Sequence, residues 1–216
     1  LEQDLRRLME TGIYSDAVLI FSTDSESHEP LTPEGAHVSE SRPVKHDLRC
    51  HTAILAARSP FFRNLVLRRA RSGEELTERA LQSPTCIVLD ECVIPRRYAR
   101  VLLQAIYMDT VNLSCIVRSS VSMCSLSEVQ AMVAGKGHMT MTDEAMEIYQ
   151  IARFIDFPML AQGCEDLIME SLSADNLVSI LTWSEEAHGS PWVHRQALHF
   201  LREEFTSICH SPLLYD

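Results

Sequence analysis

The chain has 216 residues, which is enough for one hydrophobic core, or for one domain and part of a second. Its formal net charge is −11, with 19 Lys and Arg residues against 30 Asp and Glu. This acidic balance argues against a nucleic-acid-binding protein, because neutralising phosphates requires clustered basic side chains. No uncharged apolar run approaches the ~20 residues of a membrane span, so we expect no membrane partner.

Seven cysteines are scattered along the chain, and no two of them form a C-x-x-C pair. A zinc site therefore has no support in the sequence, and we predict neither a metal nor another cofactor. An odd number of cysteines without a paired framework fits a reducing compartment, so we expect an intracellular protein of the nucleus, the cytoplasm or both. Cys50, Cys86 and Cys164 lie in apolar patterns and are predicted to be core residues.

The first predicted elements are a short helix over residues 4–9 and a strand over residues 15–21. The helix carries an apolar edge and is too short to be stable alone, so it must dock against another surface. Residues 22–42 are rich in Ser, Glu, Pro, His and Gly, and we predict a solvated loop there. A phosphorylated or partner-binding segment is the alternative interpretation of this stretch.

Residues 48–62 are predicted to run from a strand through His51 into a helix rich in alanine. Ser59 and Pro60 then have the residue types of a helix cap and a first helical turn. His51 has the side chain of a metal ligand or a general base. Because no partner cluster accompanies it, we favour a hydrogen bond to a nearby main-chain group.

The remaining chain is predicted to be mostly helical. A strand over residues 86–90 precedes a helix over 95–108, and residues 113–140 contain a capping box at Ser125 and Glu128. Further helices follow, with starts marked by Pro158 and by the Ser-Pro pair at residue 190. Short strands among helices in the first half, followed by helices with short links, indicate an α+β fold: a small sheet capped by helices and continued by helical hairpins.

The order of these pieces resembles the BTB/POZ family, in which a leading Asp precedes the first strand and a His enters a small-residue helix. The helix ending in Ala-Ile-Tyr-Met resembles the family's tyrosine helix, except that Asp109 stands where a Gly is expected. The resemblance implies a BTB/POZ domain over residues 1–172, with insertions near 22–45 and 113–140. Residues 173–216 are similar to the N-terminal part of a BACK domain. Since the chain starts at Leu1, we expect it to be a piece of a longer protein.

No hydrolase, metalloprotease, phosphate-loop or kinase motif occurs in the chain, so we expect an interaction protein and not an enzyme. The resemblance implies a substrate adaptor of a cullin-3 ubiquitin ligase, which would also bind a substrate protein that the sequence does not identify. The hydrophobic-x-Glu pattern of cullin-binding relatives is matched by Leu76 and Glu78. The residues assigned to cullin-3 on this basis are Leu76, Glu78, Tyr107, Leu177 and Leu181.

The resemblance also implies a homodimer, formed by the N-terminal helix and the region after the family's His. The residues assigned to this interface are Leu5, Leu8, Met9, His51 and Ile54.

An alternative is a transcriptional regulator or scaffold that recruits corepressor peptides through the groove of a BTB dimer. Family members with that function often form a charged pocket from a buried Asp and a basic residue after the His. Asp16 matches the Asp, but Thr52 occupies the position of the basic residue. This departure favours the adaptor. An enzyme with an unrecognised site is a third interpretation.

Overall fold

A computed structural model describes residues 1–22, 48–71, 84–116 and 139–208, and it has a mixed α+β fold. The predicted insertion near residues 22–45 and most of the one near 113–140, with its capping box, lie outside the described residues. The first elements are α1 (Glu2–Thr11), β1 (Ala17–Ser22), β2 (Leu48–Cys50), α2 (Thr52–Arg58), α3 (Pro60–Arg71) and β3 (Thr85–Asp90). They are followed by α4 (Ala99–Met108), α5 (Met141–Phe154), α6 (Pro158–Glu170), α7 (Leu177–Glu185), α8 (Pro191–Glu203) and α9 (Phe205–Ile208).

The sheet of the described residues has the strand order β2-β1-β3. The central strand, β1, runs antiparallel to β2 and parallel to β3, with Ala17 opposite both Cys50 and Thr85. Strand β3 alternates between buried Ile87 and Leu89 and exposed Val88, as expected for an edge strand with one face on the core. The sheet therefore presents one covered face to the helices.

Helices α2 and α3 are separated by a single residue, Ser59, whose buried hydroxyl accepts a hydrogen bond from the Phe62 N–H at 3.4 Å. The side chain of Arg63 reaches back over this junction. Its Nε donates to the carbonyl of Ala56 at 2.7 Å, and its Nη2 donates to the carbonyl of Ala57 at 3.2 Å. The predicted helix start at Ser59 is confirmed, and Arg63 satisfies the last carbonyls of α2.

Helix α4 is the tyrosine helix of the sequence analysis, and its buried side chains form much of the core. Its last residue, Met108, is followed by Asp109, which caps the helix with a left-handed backbone of φ 54° and ψ 33°. Asp is one of the few residues other than Gly that adopts this conformation routinely, which explains how the chain ends α4 without the expected Gly. The Asp109 carboxylate also pairs with Arg58 of α2.

A largely buried polar cluster joins the start of α4 to α5. The Tyr98 hydroxyl and the Arg97 guanidinium both donate to Oε2 of Glu147, at 2.6 and 2.5 Å. The guanidinium carbon also lies 4.5 Å from the Tyr98 ring centroid. Burial and the Glu147 carboxylate raise the pKa of Tyr98 far above its usual range, so its hydroxyl remains a hydrogen-bond donor.

Helices α7 and α8 pack on the same core as the sheet, through buried residues such as Ile180 and Val193. The ring of Trp183 on α7 meets Tyr149 of α5 edge-on, with centroids 5.4 Å apart. Ser190 caps α8 by accepting from the Val193 N–H at 3.1 Å, as predicted, and its hydroxyl donates to Glu165 of α6 at 2.5 Å. Within the described residues, the predicted 173–216 segment therefore shares its core with the preceding helices.

The cysteine predictions are confirmed at two of three positions. Cys50 and Cys164 have no exposed surface, and burial raises the pKa of each thiol to about 12. The prediction for Cys86 was wrong, because this residue lies on the outward side of edge strand β3 and is partly exposed.

These pKa values predict a clear order of thiol reactivity. At pH 8, a thiol with a pKa of about 12 is ionised to only roughly one part in 10,000, and only the thiolate reacts. In the native protein, iodoacetamide should therefore label exposed Cys92 well before Cys50 and Cys164, which should react only after denaturation. Peptide mapping by mass spectrometry measures this order. Equal labelling of the three thiols in the native state would contradict the described core.

A stability prediction concerns Gly163 on α6, where the absence of a side chain lets Val111, in the segment after α4, approach closely. A Cβ atom at this position would lie 2.4 Å from Cγ2 of Val111. Ala at a helical position gains about 0.5–1 kcal/mol over Gly, but overpacking against a stiff β-branched side chain costs about 1–3 kcal/mol. We expect Gly163→Ala to lower the free energy of unfolding by about 1–2 kcal/mol in urea denaturation.

Two variants separate the steric effect from helix propensity. Gln162→Ala changes an exposed neighbour on the same helix and should leave stability nearly unchanged. Adding Val111→Ala to Gly163→Ala removes the clashing methyl group and should recover part of the loss. A Gly163→Ala protein more stable than wild type would show that the close contact is absent.

Candidate protein-interaction site

His51 lies at the junction of β2 and α2 and makes three hydrogen bonds. Its backbone N–H donates to the Tyr107 hydroxyl oxygen at 2.9 Å, and its Nδ1 lies 2.7 Å from the same oxygen. Its Nε2 lies 2.8 Å from the carbonyl oxygen of Ile13. A carbonyl only accepts, so Nε2 carries the proton and donates to Ile13. In the neutral ring Nδ1 is then the acceptor, and the Tyr107 hydroxyl donates to it.

This His51 network leaves neither ring nitrogen for a metal or a substrate. The predicted bond between His51 and a main-chain group is confirmed by the Ile13 contact. Burial raises the pKa of Tyr107 above its usual range, so its hydroxyl proton stays available to the imidazole. The network joins the turn after α1, the start of α2 and the end of α4, and its role is structural.

Asp16, just before β1, holds the N-terminus of α2. Its Oδ1 accepts a hydrogen bond from the Thr52 N–H at 2.7 Å, and its Oδ2 accepts from the Thr52 hydroxyl. An aspartate at a helix N-terminus satisfies a backbone donor that the helix cannot. Both oxygens of the Asp16 carboxylate are engaged by Thr52. The charged pocket of the corepressor-binding alternative is therefore not formed by this pair.

The residues assigned to a dimer interface differ in their exposure. Leu8, Met9 and Ile54 are half-buried and pack against the core, whereas Leu5 is half-exposed and outside that cluster. His51 is only 9% exposed, so it offers a partner little surface. Of these five residues, Leu5 and the outer sides of Leu8, Met9 and Ile54 therefore carry the accessible apolar surface.

Two apolar residues beside α1 were missed by the sequence analysis. Ile13 is 41% exposed and Tyr14 is 88% exposed, and Tyr14 has a positive φ of 61°. An aromatic residue with this backbone is uncommon. The signal was present in the sequence as an apolar pair between Gly12 and Asp16. We define Leu5, Ile13 and Tyr14 as the N-terminal apolar patch.

The residues assigned to cullin-3 fall into three groups: residues outside the described ranges, buried residues and one accessible residue. Leu76 and Glu78 lie outside the described residues. Tyr107 and Leu177 are 2% and 1% exposed, so neither offers its side chain to a partner in this conformation. Leu181 is half-buried on α7 and remains accessible.

The outer face of α7 carries a further apolar residue that the sequence analysis did not select. Val178 is 45% exposed and precedes Leu181 by three positions, so the two side chains are neighbours on the helix surface. The i, i+3 spacing was available from the sequence. What the sequence did not show is which of the apolar residues of α7 face the core.

Three neighbouring side chains have the composition of a hydrolase site but not its geometry. The Ser184 hydroxyl lies 3.0 Å from Nδ1 of His194, and Glu185 lies 4.0 Å from the other ring nitrogen. Ser184 is 5% exposed, and its hydroxyl donates to the carbonyl of Leu181 at 2.8 Å. A buried hydroxyl that donates to a main-chain carbonyl is not an activated nucleophile.

Metal-binding clusters and membrane-spanning helices are both lacking in the described ranges. Among these residues, no group of three or more His, Cys, Asp or Glu is arranged to hold a metal ion. No helix in the same ranges is long and apolar enough to cross a membrane. The predicted absence of a metal stays a prediction.

Comparison with known proteins identifies the class of domain. A model of the BTB/POZ domain matches residues 38–134. The chain therefore contains a BTB/POZ domain, in agreement with the motif order and the described sheet and helices. BTB/POZ domains are protein-interaction modules, so the chain carries a protein-interaction module.

The chain is also similar over its full length to two curated relatives. It is 52% identical over 216 residues to BTB/POZ domain-containing protein 7 of Homo sapiens, and 51% identical over the same length to BTB/POZ domain-containing protein 7 of Mus musculus. The match covers 100% of this chain and 18% of each relative. The chain thus spans less than a fifth of the length of these relatives.

The His51 network yields a direct prediction. Tyr107→Phe removes the hydroxyl and leaves the buried His51 N–H and Nδ1 without their partner, which costs about 1–3 kcal/mol. Tyr14→Phe is the matched control, because the same change at an 88% exposed residue should leave stability within about 0.5 kcal/mol of wild type. Urea denaturation of the two variants gives the comparison. Equal stabilities would mean that the hydroxyl does not hold this junction.

Proposed function

We propose that this chain is the adaptor module of a cullin-3 ubiquitin ligase, with a substrate protein bound elsewhere in the longer protein. The observation that carries the proposal is the continuous packing of α7 and α8 on the core of the BTB/POZ unit. A partner that binds α7, α8 and the adjoining BTB/POZ surface would contact one rigid unit, and not two domains joined by a flexible linker. The adaptor proposal also implies that the module is not an enzyme and that it works inside the cell, where its buried thiols stay reduced.

Contacts on both sides of the hairpin formed by α7 and α8 support a rigid surface. The Ser190–Glu165 hydrogen bond joins the start of α8 to α6, and the Tyr149–Trp183 contact joins α7 to α5. Both are buried or half-buried and will hold the hairpin while its outer face binds. We propose that this hairpin is the start of a BACK domain, at residues 173–216, and that residues 1–172 form the BTB/POZ domain.

The contact residues are assigned according to their exposure. We propose that Leu181, with Val178 beside it, contacts cullin-3 from α7, and that Leu76 and Glu78 contact it from the segment after α3. Buried Tyr107 and Leu177 hold α4 and α7 in place below the surface. An exposed apolar anchor with polar neighbours is the usual anatomy of a specific interface.

The proposed homodimer uses the N-terminal apolar patch. Leu5, Ile13 and Tyr14 combine exposed apolar surface with a turn whose backbone is fixed by the Ile13–His51 hydrogen bond. A preorganised apolar surface loses little conformational entropy on association, which favours its use as an interface.

Calorimetry with the purified N-terminal domain of cullin-3 tests the adaptor proposal. Wild-type chain should bind, and Leu76→Ala, Glu78→Ala and Leu181→Ala should each weaken binding, with the apolar anchors losing about 2 kcal/mol, or roughly thirtyfold in affinity. Glu75→Ala and Thr182→Ala are the matched controls, because they change polar neighbours of these anchors and should have much smaller effects.

The outcomes of this titration separate the function from the residue assignment. No binding of wild-type chain at high concentration would overturn the adaptor function. Binding that is unchanged by the three substitutions would retain the function and refute these contact residues.

The dimer prediction is tested by sedimentation. Leu5→Asp places a charge on the N-terminal apolar patch and should weaken dimerisation by at least about tenfold, the equivalent of 1.4 kcal/mol. Gln3→Asp puts the same charge on the exposed side of α1 and should have little effect. Analytical ultracentrifugation over a concentration series measures both. Wild-type chain that remains monomeric throughout the series would refute the interface.

A further inference from the structure

The basic residues of this chain are almost all arginine. Of 19 Lys and Arg residues, 17 are Arg, and the two lysines are Lys45 and Lys136. Neither lysine lies in the described ranges, so the described fold carries no side-chain amine. Lysine is ordinarily among the commonest residues of soluble proteins, and it is almost always found at the surface.

Some of the arginines have contacts that need a guanidinium. Arg63 donates from two nitrogens to successive carbonyls, and Arg97 combines a carboxylate contact with stacking on Tyr98. Lysine would not reproduce these contacts, because its ammonium is a point charge without a planar fork.

Other arginines have no such requirement. Arg7 on α1, Arg100 on α4 and Arg153 on α5 are exposed, and their side chains make no hydrogen bond or ion pair with the described part of the chain. Lys and Arg have almost equal helix propensity, and either would keep such a position charged and solvated. The fold therefore does not explain why these positions are arginine, and a chemical difference between the two side chains is required.

The relevant difference is nucleophilicity. In ubiquitin transfer, a deprotonated Lys ε-amine attacks the carbonyl carbon of the thioester between the conjugating enzyme and ubiquitin. The isopeptide C–N bond forms, the C–S bond breaks, and the cysteine thiolate leaves and takes up the proton that the amine loses. An arginine guanidinium stays protonated and delocalised at cellular pH, so it does not act as the acceptor.

We propose that the surface of the described ranges is kept free of lysine so that the ligase assembled on this module does not conjugate ubiquitin to its own adaptor. This inference rests on the proposed cullin-3 function and adds a form of regulation to it. An adaptor stays beside the charged conjugating enzyme for as long as the ligase is assembled. Any amine on its surface would have a high effective concentration there, whereas a substrate is present only while it is bound.

The test introduces lysine at positions where the fold does not need arginine. The parent chain carries Lys45→Arg and Lys136→Arg, so it has no Lys side chain. The test variant adds Arg7→Lys, Arg100→Lys and Arg153→Lys to that parent. Both are incubated with cullin-3, its RING subunit, activating and conjugating enzymes, ubiquitin and ATP, and isopeptide-modified residues are mapped by mass spectrometry.

We expect the parent to acquire no isopeptide-linked ubiquitin and the test variant to acquire it at the introduced lysines, with equal affinity of both for cullin-3 by calorimetry. Equal affinity with no modification at the introduced lysines would overturn this inference and leave the adaptor function intact. Failure of the wild-type chain to bind cullin-3 would overturn the adaptor function and this inference together.

Discussion

The buried His51 network is the constraint on which the described fold depends most. It joins the turn after α1, the β2–α2 junction and the end of α4 through one imidazole and one phenol hydroxyl. These groups are removed from water, so a missing partner costs more than an ordinary hydrogen bond contributes. Because Ile13 is part of the network, the exposed side chains of the N-terminal apolar patch are held at a defined position on the surface.

A second constraint is the shared core of the BTB/POZ unit and the helical hairpin that follows it. Strand β1 lies outside the matched 38–134 segment, yet it is the central strand of the sheet. At the other end, α7 and α8 also lie outside that segment and still bury apolar residues in the same core. The folded unit is therefore larger than the matched domain.

Most elements were predictable because their ends carry local signals. Ser59 and Ser190 cap helices as their Ser-Pro pairs predict, and the β3 segment forms a strand as its apolar pattern predicts. Asp109 shows how an expected Gly can be replaced, since aspartate also accepts a left-handed backbone.

The candidate site was less predictable, because its residues are defined by which side of an element faces the core. Leu177 and Leu181 are both apolar and share α7, but only the packing of α7 on the core shows that Leu177 is buried. Tyr107 was selected by family resemblance, and only its partner His51 explains why its hydroxyl points inward. Tyr14 was missed although it stands in an apolar pair with Ile13, because the sequence does not show that both side chains face solvent.

A double-mutant cycle on His51 and Tyr107 tests the central claim most directly. The free energy of unfolding is measured for His51→Ala, for Tyr107→Phe and for the double variant. The shared side-chain hydrogen bond predicts a coupling energy of about 0.5–3 kcal/mol, because each substitution removes it. Single effects that add within about 0.3–0.5 kcal/mol would contradict it, since the two side chains would then act independently.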